Sequence, residues 1–140
     1  MPSLQACPCG RTGAHKKPLA YADCCGRYVD HFATTPAPDA ESLMRSRYSA
    51  FVLGREAYLR DTWHINKRPA DVAPDVGTQW LGLEVRGHAQ QDADHATVEF
   101  VARYRLGGRA VRLHELSRFV REQGRWYYLD GDLQLPKAKN

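Results

Sequence analysis

The sequence predicts an α+β fold in which helices pack into the concavity of a curved antiparallel sheet. Three observations carry that expectation. Two segments of helical periodicity come first, at 40–53 and 55–63. From Trp80 onward the apolar period changes to two. Short turn signals, Gly107-Gly108 and Glu122-Gln123-Gly124, separate the alternating runs. Helices followed by consecutive strands is the order of an α+β domain, not of an alternating α/β one.

Taken in order, "TTPAPD" (34–39) reads as a linker. Asp39 is a good N-cap and Glu41 favours the positive end of the helix dipole, so "AESLMRSRYSAFVL" (40–53) reads as a helix that stops near Gly54. "REAYLRDTW" (55–63) is a second, shorter helix, and "INKRPADVAPDVG" (65–77) a loop with two prolines. In "WLGLEVRG" (80–87) alternation places Leu81, Leu83 and Val85 on one face. In "ATVEFVARYRL" (96–106) it aligns Val98, Phe100, Ala102 and Tyr104. "AVRLHELSRFV" (110–120) puts Val111, Leu113, Glu115, Ser117 and Phe119 on one side and His114, Leu116 and Val120 on the other; "RWYYLDGD" (125–132) is the last strand.

The totals suit one main domain with a small appendage. The chain has 140 residues, 43% of them hydrophobic, enough for a core without disulfide staples. The net charge of +4 is spread out, which excludes a polybasic tail. No apolar run approaches the roughly 20 residues of a membrane span, and "MPSLQACPCGR" lacks the features of a secretory signal. A cytoplasmic protein with reduced thiols is therefore expected.

All four cysteines lie in "CPCGRTGAHKKPLAYADCCG" (7–26). Adjacent Cys24 and Cys25 could bridge each other only with strain, and Cys7 with Cys9 little better. There is no C-x-x-C of a redox dithiol. Four thiolates can instead supply a closed tetrahedral shell, so Cys7, Cys9, Cys24 and Cys25 are the expected ligands of one zinc ion. Gly10 and Gly26 follow the two pairs, where backbone must turn around the ion. His15 or His31 is the alternative to one cysteine. His15 with Lys16 and Lys17 otherwise forms a solvated basic tip that offsets the negative charge of a tetrathiolate centre.

"CPCG" followed by "YADCCG" resembles the SEC-C motif, named for its occurrence at the end of the bacterial preprotein-translocase motor. "LMRSRYSAF" (43–51), "YLRDTWH" (58–64), "HELSRF" (114–119) and "GRWYYLDGD" (124–132) extend the match to the YchJ-like family of bacterial proteins over nearly the whole chain. The 10–23 loop is longer than the family's usual one, a difference that costs only about 0.5 kcal/mol in closure. The chain ends "LPKAKN" where some relatives carry a second cysteine motif. The resemblance implies a zinc knuckle over 1–33 and, over 34–140, the cone-shaped fold of nuclear transport factor two and ketosteroid isomerase. In the translocase motor the motif serves partner contact, including an export chaperone, which implies a protein-docking role here.

A cone of this kind often encloses a pocket, and the fold hosts both enzymes and binding modules. Glu115 is a carboxylate on an apolar strand face. Tyr48, His64, Tyr104 and Tyr128 are the candidate pocket lining, with His64 at the mouth. At about 100° per residue, Arg47 falls inside the apolar arc of Leu43, Met44, Ala50 and Phe51, and Arg45 on the opposite, solvent side. A buried guanidinium needs partners, so Arg47 and Glu115 are expected to form an ion pair whose disruption costs about 3–5 kcal/mol. No Ser-His-Asp order, phosphate loop or nucleic-acid motif is present, although Trp126, Tyr127 and Tyr128 could in principle stack bases. The expected function is that of a zinc-binding accessory protein with a structural or protein-docking knuckle. The alternative is a small-molecule-binding protein or enzyme that uses the pocket.

Overall fold

A computed structural model describes residues 5–70 and 77–134. The tail "LPKAKN" and part of the expected 65–77 loop lie outside these residues. The elements are α1 (Gly26–Val29), α2 (Ala40–Leu53), α3 (Glu56–Asp61), β1 (Gln79–Asp92), β2 (His95–Leu106), β3 (Arg109–Glu122) and β4 (Arg125–Leu133). The strands form one antiparallel sheet in the order β1-β2-β3-β4. Among the described residues no helix is long and apolar enough to cross a membrane.

Helix α2 starts and stops for local reasons. The Asp39 side chain accepts from Ser42 N–H at 2.7 Å, satisfying a donor that the helix itself cannot pair. Gly54 ends the helix at φ +72°, a left-handed conformation that glycine adopts without a steric penalty. Helix α3 ends at Asp61, two residues before the expected end, because β4 captures the chain. Tyr128 N–H donates to Thr62 O, and His64 N–H donates to Tyr128 O, each at 2.8 Å.

The hairpin between β2 and β3 turns on Gly107 and Gly108, both at positive φ, as a tight two-residue turn requires. The first strand departs from simple alternation. Trp80 pairs with Tyr104 and Gly82 with Arg103, so Leu81 is an extra residue in a β-bulge. The expected Leu81–Leu83–Val85 face is corrected accordingly: Trp80, Leu83 and Val85 pack on the core, and Leu81 stays exposed. A second bulge follows between Val85 and Gly87, adding to the bend that an extra residue imposes on its strand.

Leu43 of α2, Leu59 of α3, Val98 of β2 and Phe119 of β3 are fully buried where helices meet sheet. The four cysteines join the same core cluster. Arg125 in β4 fastens the end of the cysteine segment: its Nη1 donates to Phe32 O at 2.8 Å and its guanidinium lies 4.2 Å from the Phe32 ring.

Candidate metal centre and cavity

The cysteine segment folds back on itself in two short pairings, Ala6 with Ala20 and Thr12 with Pro18. Cys7 N–H donates to Leu19 O at 2.8 Å, which brings the first pair beside the second. Gly10 then turns away from the cluster at φ +76°. Gly26 is small for a different reason, since a Cβ there would lie 2.7 Å from Tyr21 O. The result is four buried sulfurs, all within 4.8 Å of one another. With Zn–S near 2.3 Å, a tetrahedral zinc tetrathiolate has sulfur–sulfur edges of about 3.8 Å. Cys9 Sγ and Cys24 Sγ are 3.6 Å apart. The donor set fits a closed zinc shell in both chemistry and spacing.

All four cysteines are unbridged. Sulfurs this close cannot all ionise without a cation among them. Hydrogen bonds from Cys25 and then Cys9 hold the Cys7 thiol well below its ordinary range. The reciprocal bond to Cys7 pushes Cys25 up, and burial pushes Cys24 up to about 12. The shell around the sulfurs is cationic and polar. Arg27 Nε donates to Cys24 O at 3.0 Å, Arg45 Nη1 donates to Cys9 O at 3.2 Å, and Ser49 Oγ lies 3.5 Å from Cys7 Sγ. His15 and His31 are exposed and outside the cluster.

Arg45 corrects an expectation. Its side chain is only 15% exposed, paired with Glu41 at 2.8 Å and roofed by the cysteine segment. A helical wheel shows which side of a helix is polar, not what later covers it. The serines carry a further legible signal: Ser42, Ser46 and Ser49, at helical spacing, mark further buried sides of α2. Ser42 accepts from Arg11 Nη1 at 3.0 Å, Ser46 Oγ lies 2.7 Å from Tyr58 OH, and Ser49 meets Cys7.

Between α2 and the sheet lies a cavity of about 240 Å³. Met44, Tyr48 and Phe51 of α2, together with Trp63, Trp80, Phe100, Phe119 and Tyr128, make most of its wall. Its polar groups are Arg47, Glu115 and Ser117. Tyr48 and Tyr128 thus line it, while Tyr104 stacks behind Trp80 at 5.2 Å and does not. His64 is also corrected. Its Nδ1 accepts from Asn66 N–H at 3.2 Å, which leaves the proton on Nε2 to donate to Glu122 at 2.9 Å, at a separate surface pocket. Of the aromatic triplet, Trp126 is buried, Tyr128 faces the cavity, and Tyr127 meets the His64 ring edge-on at 6.0 Å.

Arg47 is buried at the cavity wall, but the expected ion pair with Glu115 is absent. Arg47 Nη1 donates to Leu59 O at 2.8 Å and to Thr62 Oγ1 at 2.7 Å. The guanidinium lies 4.7 Å from the Tyr128 ring and 5.3 Å from that of Trp63. Glu115 Oε2 accepts instead from Ser117 Oγ and, at 3.1 Å, from Tyr128 OH. Tyr128 therefore stands between the two charges, its ring against the cation and its hydroxyl on the carboxylate. Gly131 makes the room, because a Cβ there would overlap the Glu115 carboxylate. The missed partners, Thr62 and Ser117, are hydroxyls that lie within hydrogen-bond reach where the opposite charge does not.

Three kinds of similarity bear on this architecture. The family described as "YchJ, middle NTF2-like domain" matches residues 39–131. A UPF0225 protein of Polaromonas sp. is 68% identical over 127 residues, covering 90% of this chain and 91% of that one. A UPF0225 protein of Bordetella parapertussis is 58% identical, covering 94% and 96%. Among solved structures, a SEC-C motif containing protein from Psychrobacter arcticus is similar at TM-score 0.76 and 34% identity, over 97% of this chain and 86% of that one. A second, from Rhodopseudomonas palustris, is similar at TM-score 0.76 and 33% identity, over 91% and 98%.

Proposed function

This chain belongs to the YchJ-like family, SEC-C motif proteins with an NTF2-like domain, and on that premise we propose that Cys7, Cys9, Cys24 and Cys25 hold one zinc ion as a structural centre. The observation that carries the reading is the convergence of four buried sulfurs within 4.8 Å. A shell of four thiolates leaves no open position for a substrate, which separates it from catalytic zinc. The centre's work is mechanical: it clamps the knuckle, residues 1–33, against α2 of the cone, residues 34–140. A reducing cytoplasm keeps the thiolates available for the metal. Docking of a partner protein would use the exposed tip at His15, Lys16 and Lys17, since the sulfurs themselves are covered. Elemental analysis of freshly purified, untagged protein tests the assignment. One zinc per chain is expected; a content near zero with four titratable thiols overturns it.

A separate observation supports a second role. The cone holds an aromatic-walled cavity with three convergent polar side chains, the general form of a small-ligand site. In this reading the cone binds a small molecule and the zinc knuckle holds helix α2, which carries Arg47, in place over it.

A further inference from the structure

The cavity's polar groups are only half used. A guanidinium has five N–H donors, and both assigned bonds of Arg47 leave from Nη1. Its Nε and Nη2 have no acceptor among the described residues. Among the described residues no buried side-chain polar atom is left without a partner, so these donors border the open space of the cavity that Arg47 lines. Arg47 itself is only 6% exposed. Glu115 mirrors it: Oε2 takes both hydroxyl donors, and Oε1 takes none from the described residues. The cavity wall therefore offers a fork of donors from Arg47 and an acceptor edge from Glu115, both beside Tyr128, with Trp63, Trp80 and Phe100 among the apolar lining.

Charge selects the guest. Glu115 already balances Arg47 across Tyr128, so a second carboxylate would meet Arg47 favourably but Glu115 unfavourably. It would also lose its hydration in an apolar cavity. A neutral head that both accepts and donates satisfies the two free edges at once. A volume of about 240 Å³ is that of roughly eight water molecules in the liquid, enough for a small ring system and below the usual drug-sized pocket. Resting on the reading of the cone as a ligand holder, we infer that the cavity binds a small, uncharged, planar aromatic carboxamide or lactam. Its carbonyl oxygen accepts from Nε and Nη2 of Arg47, and its N–H donates to Oε1 of Glu115.

Titration calorimetry on the full-length, zinc-loaded chain with three probes of one ring system tests this: 2-naphthamide, 2-naphthoate and 2-methylnaphthalene. The amide is expected to bind at least about tenfold more tightly than either of the others, the worth of one or two well-made hydrogen bonds. In Glu115→Gln the side-chain oxygen is still needed by Ser117 and Tyr128, so the freed edge becomes an amide N–H donor. The preference should then invert toward 2-naphthoate. Tighter binding of 2-naphthoate to the wild type, equal binding of all three, or an unchanged preference in Glu115→Gln overturns the inference while leaving the ligand-holding role standing. Failure of all three probes to bind overturns both. The wild-type comparison needs no variant to fold.

Discussion

Replacing Arg47 by methionine asks what holds a buried cation that lacks a direct counter-ion. The variant loses two charge-assisted hydrogen bonds, Nη1 to Leu59 O at 2.8 Å and to Thr62 Oγ1 at 2.7 Å. Bonds of this type contribute about 1.5–3 kcal/mol each, so about 3–6 kcal/mol is removed. An opposing term comes from desolvation, which pulls the Arg47 pKa down from 12.5 to about 10. At about 1.36 kcal/mol per pH unit, keeping the side chain charged in its site costs about 3 kcal/mol, and methionine is free of that penalty. Thr62 Oγ1 is not stranded, because it donates its single proton to Tyr58 O at 2.7 Å, while Leu59 O keeps only a long contact with that hydroxyl at 3.4 Å. The net loss should be about 1–2 kcal/mol, well below the roughly 3–5 kcal/mol for removing one partner of a buried ion pair. Urea unfolding of the zinc-loaded chain, followed by tryptophan fluorescence, measures it. A double-mutant cycle with Glu115→Gln should show coupling below about 1 kcal/mol, since Tyr128 separates the charges. A loss of 3–5 kcal/mol with coupling of similar size would refute the reasoning and place the two side chains in direct contact.

Chelating the proposed zinc should raise amide hydrogen exchange across residues 5–33 long before the strands open, because the sheet keeps its own core; loss of protection everywhere at once would show that the centre supports the whole fold. Gly131→Ala should destabilise by about 1–3 kcal/mol, as the new methyl drives Glu115 from its hydroxyl partners, and an unchanged melting temperature would mean the carboxylate moves aside freely. Alkaline pH should unfold the protein cooperatively. Burial pushes Tyr48 and Tyr58 up to about 12, and Tyr21 and Tyr128 higher. Below the unfolded value near 10 this contribution is fully present, and it is lost as pH rises through the folded values. Tyrosinate absorbance and loss of sheet signal should therefore rise together above pH 10; complete tyrosine ionisation near pH 10 with the sheet intact would contradict that environment.

Much of this architecture is legible without coordinates. Asp39 and Gly54 bracket α2 because capping and left-handed φ are properties of a few neighbouring atoms. Gly107-Gly108 announces its hairpin for the same reason. The cysteines could be read as a cluster because they all fall within one short segment. Even the inward turn of both Arg47 and Glu115 follows from two periodicities, 3.6 for the helix and 2 for the strand.

What periodicity cannot reach is distance across the fold. The bulge at Leu81 adds one residue and turns an expected core side chain outward. The cysteine segment covers Arg45, and β4 captures the chain after α3 and leaves His64 outside the cavity. The partners of Arg47 and Glu115 were decided by which hydroxyl or carbonyl lay within about 3 Å, the range in which a hydrogen bond has its strength. The order and type of elements, and the residues that carry charge inward, are determined by the sequence through local backbone preference. Which polar groups meet is decided by the tertiary packing of segments far apart in the chain, because a shift of an ångström or two is enough to exchange one partner for another.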